Sequence, residues 1–151
     1  MKSGWPILAV SVLLCGCNGA AGIRSPIASG AAYGDDMSGQ WMLSIENPEH
    51  HVVATLKVEF TGKKAQSCTG GEWKVLKVVS VKTQDKDFFP VSDPLSYQIE
   101  GKQLTMGRNE VCDGYLWLQG VLGEAPVKGE YFSLGLGGSA PLGYFKLSPA
   151  K

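Results

Sequence analysis

The stretch LSYQIEGKQLTM, residues 95–106, carries the clearest structural signal in the sequence. Apolar and polar residues alternate along both of its halves, which is the period of a strand with one buried face. Gly101 and Lys102 separate the halves, and a glycine accommodates the positive φ that a tight hairpin turn requires. The stretch therefore predicts two antiparallel strands joined by a two-residue turn. The predicted inward-facing residues are Leu95, Tyr97, Ile99, Leu104 and Met106.

The same alternation extends over most of the chain after residue 38. In HVVATLKVEF, residues 51–60, it places five apolar residues on one face: Val52, Ala54, Leu56, Val58 and Phe60. Further strands are predicted at 40–46, 73–82, 113–122, 128–136 and 142–148. No stretch after residue 38 has a convincing helical pattern of ten or more residues. We therefore predict an all-β fold, an antiparallel up-and-down barrel of about eight strands, with a sandwich as the alternative.

Two polar residues interrupt this inward pattern, Lys77 and Gln119. Three explanations are open for these two residues: a polar cavity, a β-bulge or an error in the assigned register. The strand that holds Gln119 is also apolar on both faces, since Tyr115 and Trp117 share one face and Leu116 and Leu118 the other. Such a strand is either covered on its outer side or in contact with a partner.

The N-terminus has the pattern of an export signal. Lys2 precedes WPILAVSVLL, residues 5–14, which is an uncharged apolar run. Its length is that of the apolar region of a secretory signal, and it is too short to span a membrane as a helix. A buried N-terminal helix is the alternative, and Pro6 and the glycine-rich sequence that follows argue against it.

The end of that run resembles the lipobox of bacterial lipoproteins. The residues that carry the resemblance are Leu14, Cys15, Gly16 and Cys17. In the lipobox a leucine lies three residues before the modified cysteine and a small residue lies just before it, so the resemblance assigns the lipid to Cys17 and removes Cys15 with the signal. It also implies a bacterial cell envelope location with a membrane anchor at the N-terminus. Asn18, rather than aspartate, after the cysteine favours the outer membrane, facing the periplasm.

The predicted organisation is therefore a signal peptide at 1–16, a lipidated tether at 17–38 and a single domain at 39–151. The tether is rich in Gly, Ala and Ser, with little apolar bulk to bury. The whole chain has 14 basic and 14 acidic residues. This balance, without a basic stripe, argues against nucleic acid as a partner.

Two cysteines remain in the mature domain, Cys68 and Cys112. In an oxidising compartment they most simply form a disulfide. The alternative is a metal site that adds His50 and His51, but the spacing is not typical of zinc, and adjacent residues on a strand point to opposite faces. We expect neither a metal nor a cofactor.

A long connection is the first candidate for binding. Gln84 to Pro94, QDKDFFPVSDP, exceeds what a hairpin needs and contains Phe88 and Phe89 side by side. Long loops on rigid scaffolds often carry function, so we predict that one of these rings anchors a partner. The alternative is that both rings fold back and plug the barrel.

The sequence contains no convincing catalytic motif. Residues 135–143, GLGGSAPLG, match the glycine spacing of a dinucleotide fingerprint, but Pro141 and a strand follow where that fingerprint needs a helix. We interpret the stretch as a hairpin connection. No serine lies in a nucleophile elbow, so we expect a protein without enzymatic activity.

Three functions remain open. The first is a lipid-anchored module that binds an envelope or secreted protein, in one version an inhibitor or immunity protein against an envelope-directed hydrolase. Membrane-bound lysozyme inhibitors are lipoproteins of similar size and fold. The second is a carrier of a small apolar ligand, since Gly39-x-Trp41 is similar to the start of calycin-type barrels, in which a tryptophan plugs one end. The third is a structural envelope component.

Overall fold

The computed structural model describes residues 37–83, 85–92, 94–123 and 125–151. The predicted signal peptide, Cys17 and all but the last two residues of the predicted tether lie outside this part of the chain. Within it, eight strands form one closed antiparallel barrel in which each strand pairs with the next and β8 pairs with β1. The strands are β1 (Gln40–Glu46), β2 (Val52–Lys64), β3 (Lys74–Thr83), β4 (Leu95–Glu100), β5 (Gln103–Arg108), β6 (Gly114–Val121), β7 (Val127–Gly135) and β8 (Gly138–Pro149). The predicted all-β up-and-down barrel is confirmed, and the sandwich is wrong.

The β4–β5 hairpin has the predicted turn. Glu100 pairs with Gln103, so only Gly101 and Lys102 lie between the strands. Gly101 has a φ of 59°, the left-handed conformation that a glycine adopts without steric strain. Leu104 and Met106 are completely buried.

Side chains fill the interior of the barrel. All eight strands contribute apolar residues to a single buried cluster, which suits an eight-stranded barrel because its interior is just wide enough for side chains. On β2 the predicted inward face is correct from Ala54 to Phe60, but Val52 is 43% exposed. The pairing of β1 with β2 shifts between Ile45 and Glu46, so Val52 falls outside the regular alternation.

Aromatic side chains pack where the chain enters the barrel. The Trp41 indole N–H donates to the backbone oxygen of Met37 at 3.1 Å, and both residues are buried. Phe60 packs edge-on against Trp41 and against Tyr97, with ring centroids 6.0 and 4.8 Å apart. The packed domain therefore includes Met37, two residues before the predicted boundary.

Lys77 and Gln119, the two polar residues that interrupt the predicted inward pattern, both lie on the outer face, for different reasons. The pairing of β2 with β3 shifts between Lys57 and Val58, so a bulge at residue 79 turns Lys77 outward, where it forms an ion pair with Glu59 at 3.2 Å. Gln119 reflects a wrong register assignment. Leu118 and Gly120 are the buried residues of this part of β6, so Gln119 lies on the outer face.

The predicted disulfide joins Cys68 to Cys112, with their Cα atoms 5.5 Å apart. It fixes the β2–β3 connection, residues 65–73, to the start of the β6 region. The backbone N–H of Cys68 also donates to the oxygen of Asn109 at 2.8 Å. This connection therefore lies over the outside of the barrel wall rather than in open solvent.

Candidate functional site

The β3–β4 loop, the first predicted binding element, has a defined turn at its start. The Asp85 carboxylate accepts hydrogen bonds from the backbone N–H groups of Asp87 and Phe88, at 2.9 and 3.0 Å. Such a side-chain cap nucleates a tight turn without any strand partner. The turn directs the two phenylalanines that follow toward the barrel.

Both phenylalanine rings pack on Tyr131 of β7. The ring centroids of Phe88 and Phe89 lie 5.4 and 5.5 Å from that of Tyr131, both edge-on. Phe89 is 1% exposed and belongs to the core, whereas Phe88 is only partly buried. The loop therefore plugs the barrel, as in the alternative interpretation. Phe89 offers no surface to a partner in this structure, and the partner-binding prediction is kept for Phe88 alone.

The Tyr131 hydroxyl group fixes this plug. It donates to the backbone oxygen of Phe88 at 2.7 Å. Burial raises the pKa of Tyr131 well above its ordinary value, and the nearby charge of Arg108 opposes that shift only in part. The hydroxyl group therefore stays protonated, and remains a donor, at any pH at which proteins normally work.

A second candidate lies on the outer face of β6 and β7, where two cross-strand pairs bring four large side chains together. Tyr115 is paired with Leu134, and Trp117 with Phe132. The Trp117 ring lies 5.7 Å from Tyr115 and 6.2 Å from Phe132 between centroids. All four residues are half-buried. We call these four residues the aromatic patch.

A polar network and a buried ring support the patch from one side. The Trp117 indole N–H donates to the Asn109 side-chain oxygen at 2.8 Å, and the Asn109 amide donates to the Ser96 hydroxyl at 2.7 Å. Trp73, from the disulfide-linked connection, packs beside Trp117 with centroids 5.9 Å apart and is itself buried. The outer face of β6 is thus covered on one flank and open on the other.

The β7–β8 hairpin extends the patch beyond the barrel wall. Gly135 pairs with Gly138, so Leu136 and Gly137 form the tip, and Gly138 has a φ of 101°. This confirms that the glycine-rich motif is a hairpin connection. Leu136 is 97% exposed. Between the hairpin and the start of β6 lies an open cavity of about 430 Å³ whose lining includes Tyr115 and Leu134.

A charged cluster that the sequence did not predict joins β1 to β8. The Glu46 carboxylate, 3% exposed, contacts Lys146 Nζ at 2.6 Å and His50 Nδ1 at 3.2 Å. His50 also stacks on Tyr144, with ring centroids 4.3 Å apart. Burial opposes the charge of Glu46, but hydrogen bonds and charges from Lys146 and His50 outweigh it and hold the pKa of Glu46 below its ordinary value. This arrangement stabilises the β1–β2 turn against β8.

Comparison with protein-family models, with curated proteins and with solved structures finds no significant match. Within the described ranges, no group of three or more His, Cys, Asp or Glu side chains is placed to hold a metal ion. Those ranges also contain no helix with the length and apolarity needed to cross a membrane.

Proposed function

We propose that this protein is a lipid-anchored lipoprotein of the bacterial envelope that binds another envelope or secreted protein without catalysing a reaction. The observation that carries the proposal is the aromatic patch with the exposed Leu136 beside it. Interface hot spots are few, bulky and often aromatic, and they cluster near the centre of an interface. An inhibitor or immunity protein against an envelope-directed hydrolase is one form of this function.

The interior of the barrel supports this proposal over a small-ligand carrier. A carrier needs an apolar cavity of several hundred Å³. Here the inward-facing side chains form one buried cluster, and Phe89 fills the mouth beside Tyr131. Binding at the outer surface is therefore favoured.

The position of the patch suits a tethered protein. The end of β8 pairs with Trp41, next to the point where the chain enters the barrel, and the start of β8 forms the hairpin tip. With a rise of about 3.3 Å per residue, the tip lies roughly 35–40 Å along β8 from that entry point. Leu136 therefore lies at the far end of β8 from the point at which the predicted tether joins the domain.

The anchor is tested by substitution of its cysteine. Cys17→Ser is expected to abolish incorporation of a palmitate analogue and to release the protein into the soluble fraction, while Cys15→Ser leaves both unchanged. Continued labelling of the Cys17→Ser protein would contradict the lipoprotein proposal.

The binding surface is tested by capture from an envelope extract with the purified, tagged protein. Leu136→Ser and Phe132→Ala are each expected to weaken binding of the captured partner by about 2 kcal/mol, the scale of a hot-spot truncation. Val121→Ser is the control, because Val121 is an apolar residue of β6 that is 61% exposed outside the patch. Equal capture by all three variants and the unchanged protein would exclude this surface.

A further inference from the structure

Exposed carboxylates lie near both ends of the aromatic patch. Asp113 ends the β5–β6 loop, two positions before Tyr115, and its backbone oxygen lies beside Gly135 of the β7–β8 hairpin. Glu130 precedes Phe132 by two positions on β7, so it continues the outer row of the patch at the other end. Glu110 lies on the same β5–β6 loop as Asp113 and beside Val111, which is 39% exposed. All three carboxylates are exposed, and none has an ion-pair partner in the part of the chain that the structure describes.

The cations closest to the patch are fewer than its three carboxylates, and one of them, Arg108, lines the cavity beside Tyr115. Arg108 is partly buried, donates to the Gly114 backbone oxygen at 3.4 Å and has further interactions of its own. Lys128 lies on the outer row of β7 beyond Glu130, two positions farther from Phe132. Lys146, its neighbour on β8, is paired with Glu46. The patch therefore combines an apolar centre with a negative rim.

We infer that the partner is a protein that presents an apolar pocket ringed by Lys and Arg side chains. This inference rests on the proposed function and adds the chemistry of the partner. Complementary rim charges accelerate association and select partners, while the apolar centre supplies most of the affinity. A basic surface is also what a secreted protein needs to reach anionic envelope polymers, because charge steers it toward them.

The same charges argue against a membrane surface as the partner that Leu136 contacts. Leaflets that contain anionic lipids attract basic segments and repel acidic ones. Leu136 at the hairpin tip would bring the Asp113 carboxylate, which lies beside the same hairpin, toward such a surface. A protein pocket with Lys and Arg side chains at its edges would attract these carboxylates rather than repel them.

The test compares two variants that remove the same number of charges. The rim variant is Glu110→Gln, Asp113→Asn and Glu130→Gln. The control variant is Glu49→Gln, Asp87→Asn and Glu100→Gln, which are exposed carboxylates on the β1–β2 turn, the β3–β4 loop and the end of β4. Thermal melting of both confirms that the barrel is intact.

Each variant, in the full-length lipidated protein, is used to capture proteins from an envelope extract at low and high salt. Patch-dependent proteins are those that Leu136→Ser fails to retain. We expect them to be basic, to be captured several-fold less by the rim variant than by the control variant at low salt, and to lose this difference at high salt because salt screens exposed charges. Equal capture by the rim and control variants would overturn the inference and leave the proposed function intact. Absence of any patch-dependent protein would overturn both.

Discussion

The hydroxyl group of Tyr131, on β7, donates a hydrogen bond to the backbone oxygen of Phe88, in the loop between β3 and β4. This bond crosses the mouth of the barrel and joins a strand to a segment with no strand partner of its own. Since the rings of Phe88 and Phe89 pack on the same tyrosine, one side chain of the barrel wall organises the whole plug.

The first prediction separates the two phenylalanines of the loop. Phe89→Ala is expected to lower the free energy of unfolding by about 3–5 kcal/mol, because it leaves a cavity in the core. Phe88→Ala is expected to cost clearly less, since its ring keeps contact with solvent. Urea unfolding of both variants measures the difference. Equal losses would mean that the two rings are equally buried in solution.

The second prediction concerns the hydrogen bond that fixes the plug. Tyr131→Phe keeps the ring and removes the hydroxyl group, so the free energy of unfolding is expected to fall by about 0.5–1.5 kcal/mol. The Phe88 carbonyl group also loses its partner, so proteolysis within residues 85–92 is expected to become faster. Tyr144→Phe is the control, because Tyr144 is exposed on the outer face. An unchanged cleavage rate in Tyr131→Phe would show that ring packing alone holds the loop.

The third prediction follows from the lowered pKa of Glu46. In the unfolded chain this carboxyl group has its ordinary pKa, 4.5. Because the folded pKa is lower, the stabilisation is fully present above pH 4.5 and is lost as the pH falls through the folded value. Glu46→Gln is therefore expected to flatten the acid side of the stability curve. Urea unfolding between pH 7 and pH 3 measures this, with Glu49→Gln as the control. Parallel curves for wild type and Glu46→Gln would contradict the role of the cluster.

The fourth prediction concerns the disulfide, which joins residues 44 positions apart. Replacement of Cys68 and Cys112 by serine is expected to lower the free energy of unfolding by about 2–4 kcal/mol. It is also expected to shift tryptophan fluorescence to longer wavelength, because Trp73 is packed against Trp117 by the connection that the disulfide fixes. Peptide mapping without reduction checks the pairing directly. Two free thiols in protein purified without reductant would contradict it.

Several features could be predicted from the sequence because they depend on local pattern. The alternation in 95–106, with a glycine at the turn, determines a hairpin whatever surrounds it. The disulfide followed from counting cysteines after Cys15 and Cys17 were assigned to export and lipidation. In both cases few alternatives compete, and the structure has the predicted pairing.

Other features depend on contacts between distant segments and have no local signal. The register of β6 was ambiguous because both of its faces are apolar, and only the position of Leu118 in the core resolves it. In the sequence Glu46 has no feature that distinguishes it from a surface glutamate. Its ion pair forms only because β8 brings Lys146 beside it. The burial of Phe89 depends in the same way on Tyr131, which lies 42 positions further along the chain.

The closure of the barrel has a consequence for how the chain folds. Seven of the eight strand pairings join consecutive strands, with connections of eleven residues or fewer, whereas β1 and β8 come from the two ends of the domain. Bringing distant segments together carries the largest loop-closure entropy, so we expect the β1–β8 pairing to be the slowest to form. Before it forms, β1 and β8 each present an unpaired edge, the kind of surface on which incompletely folded chains associate with one another.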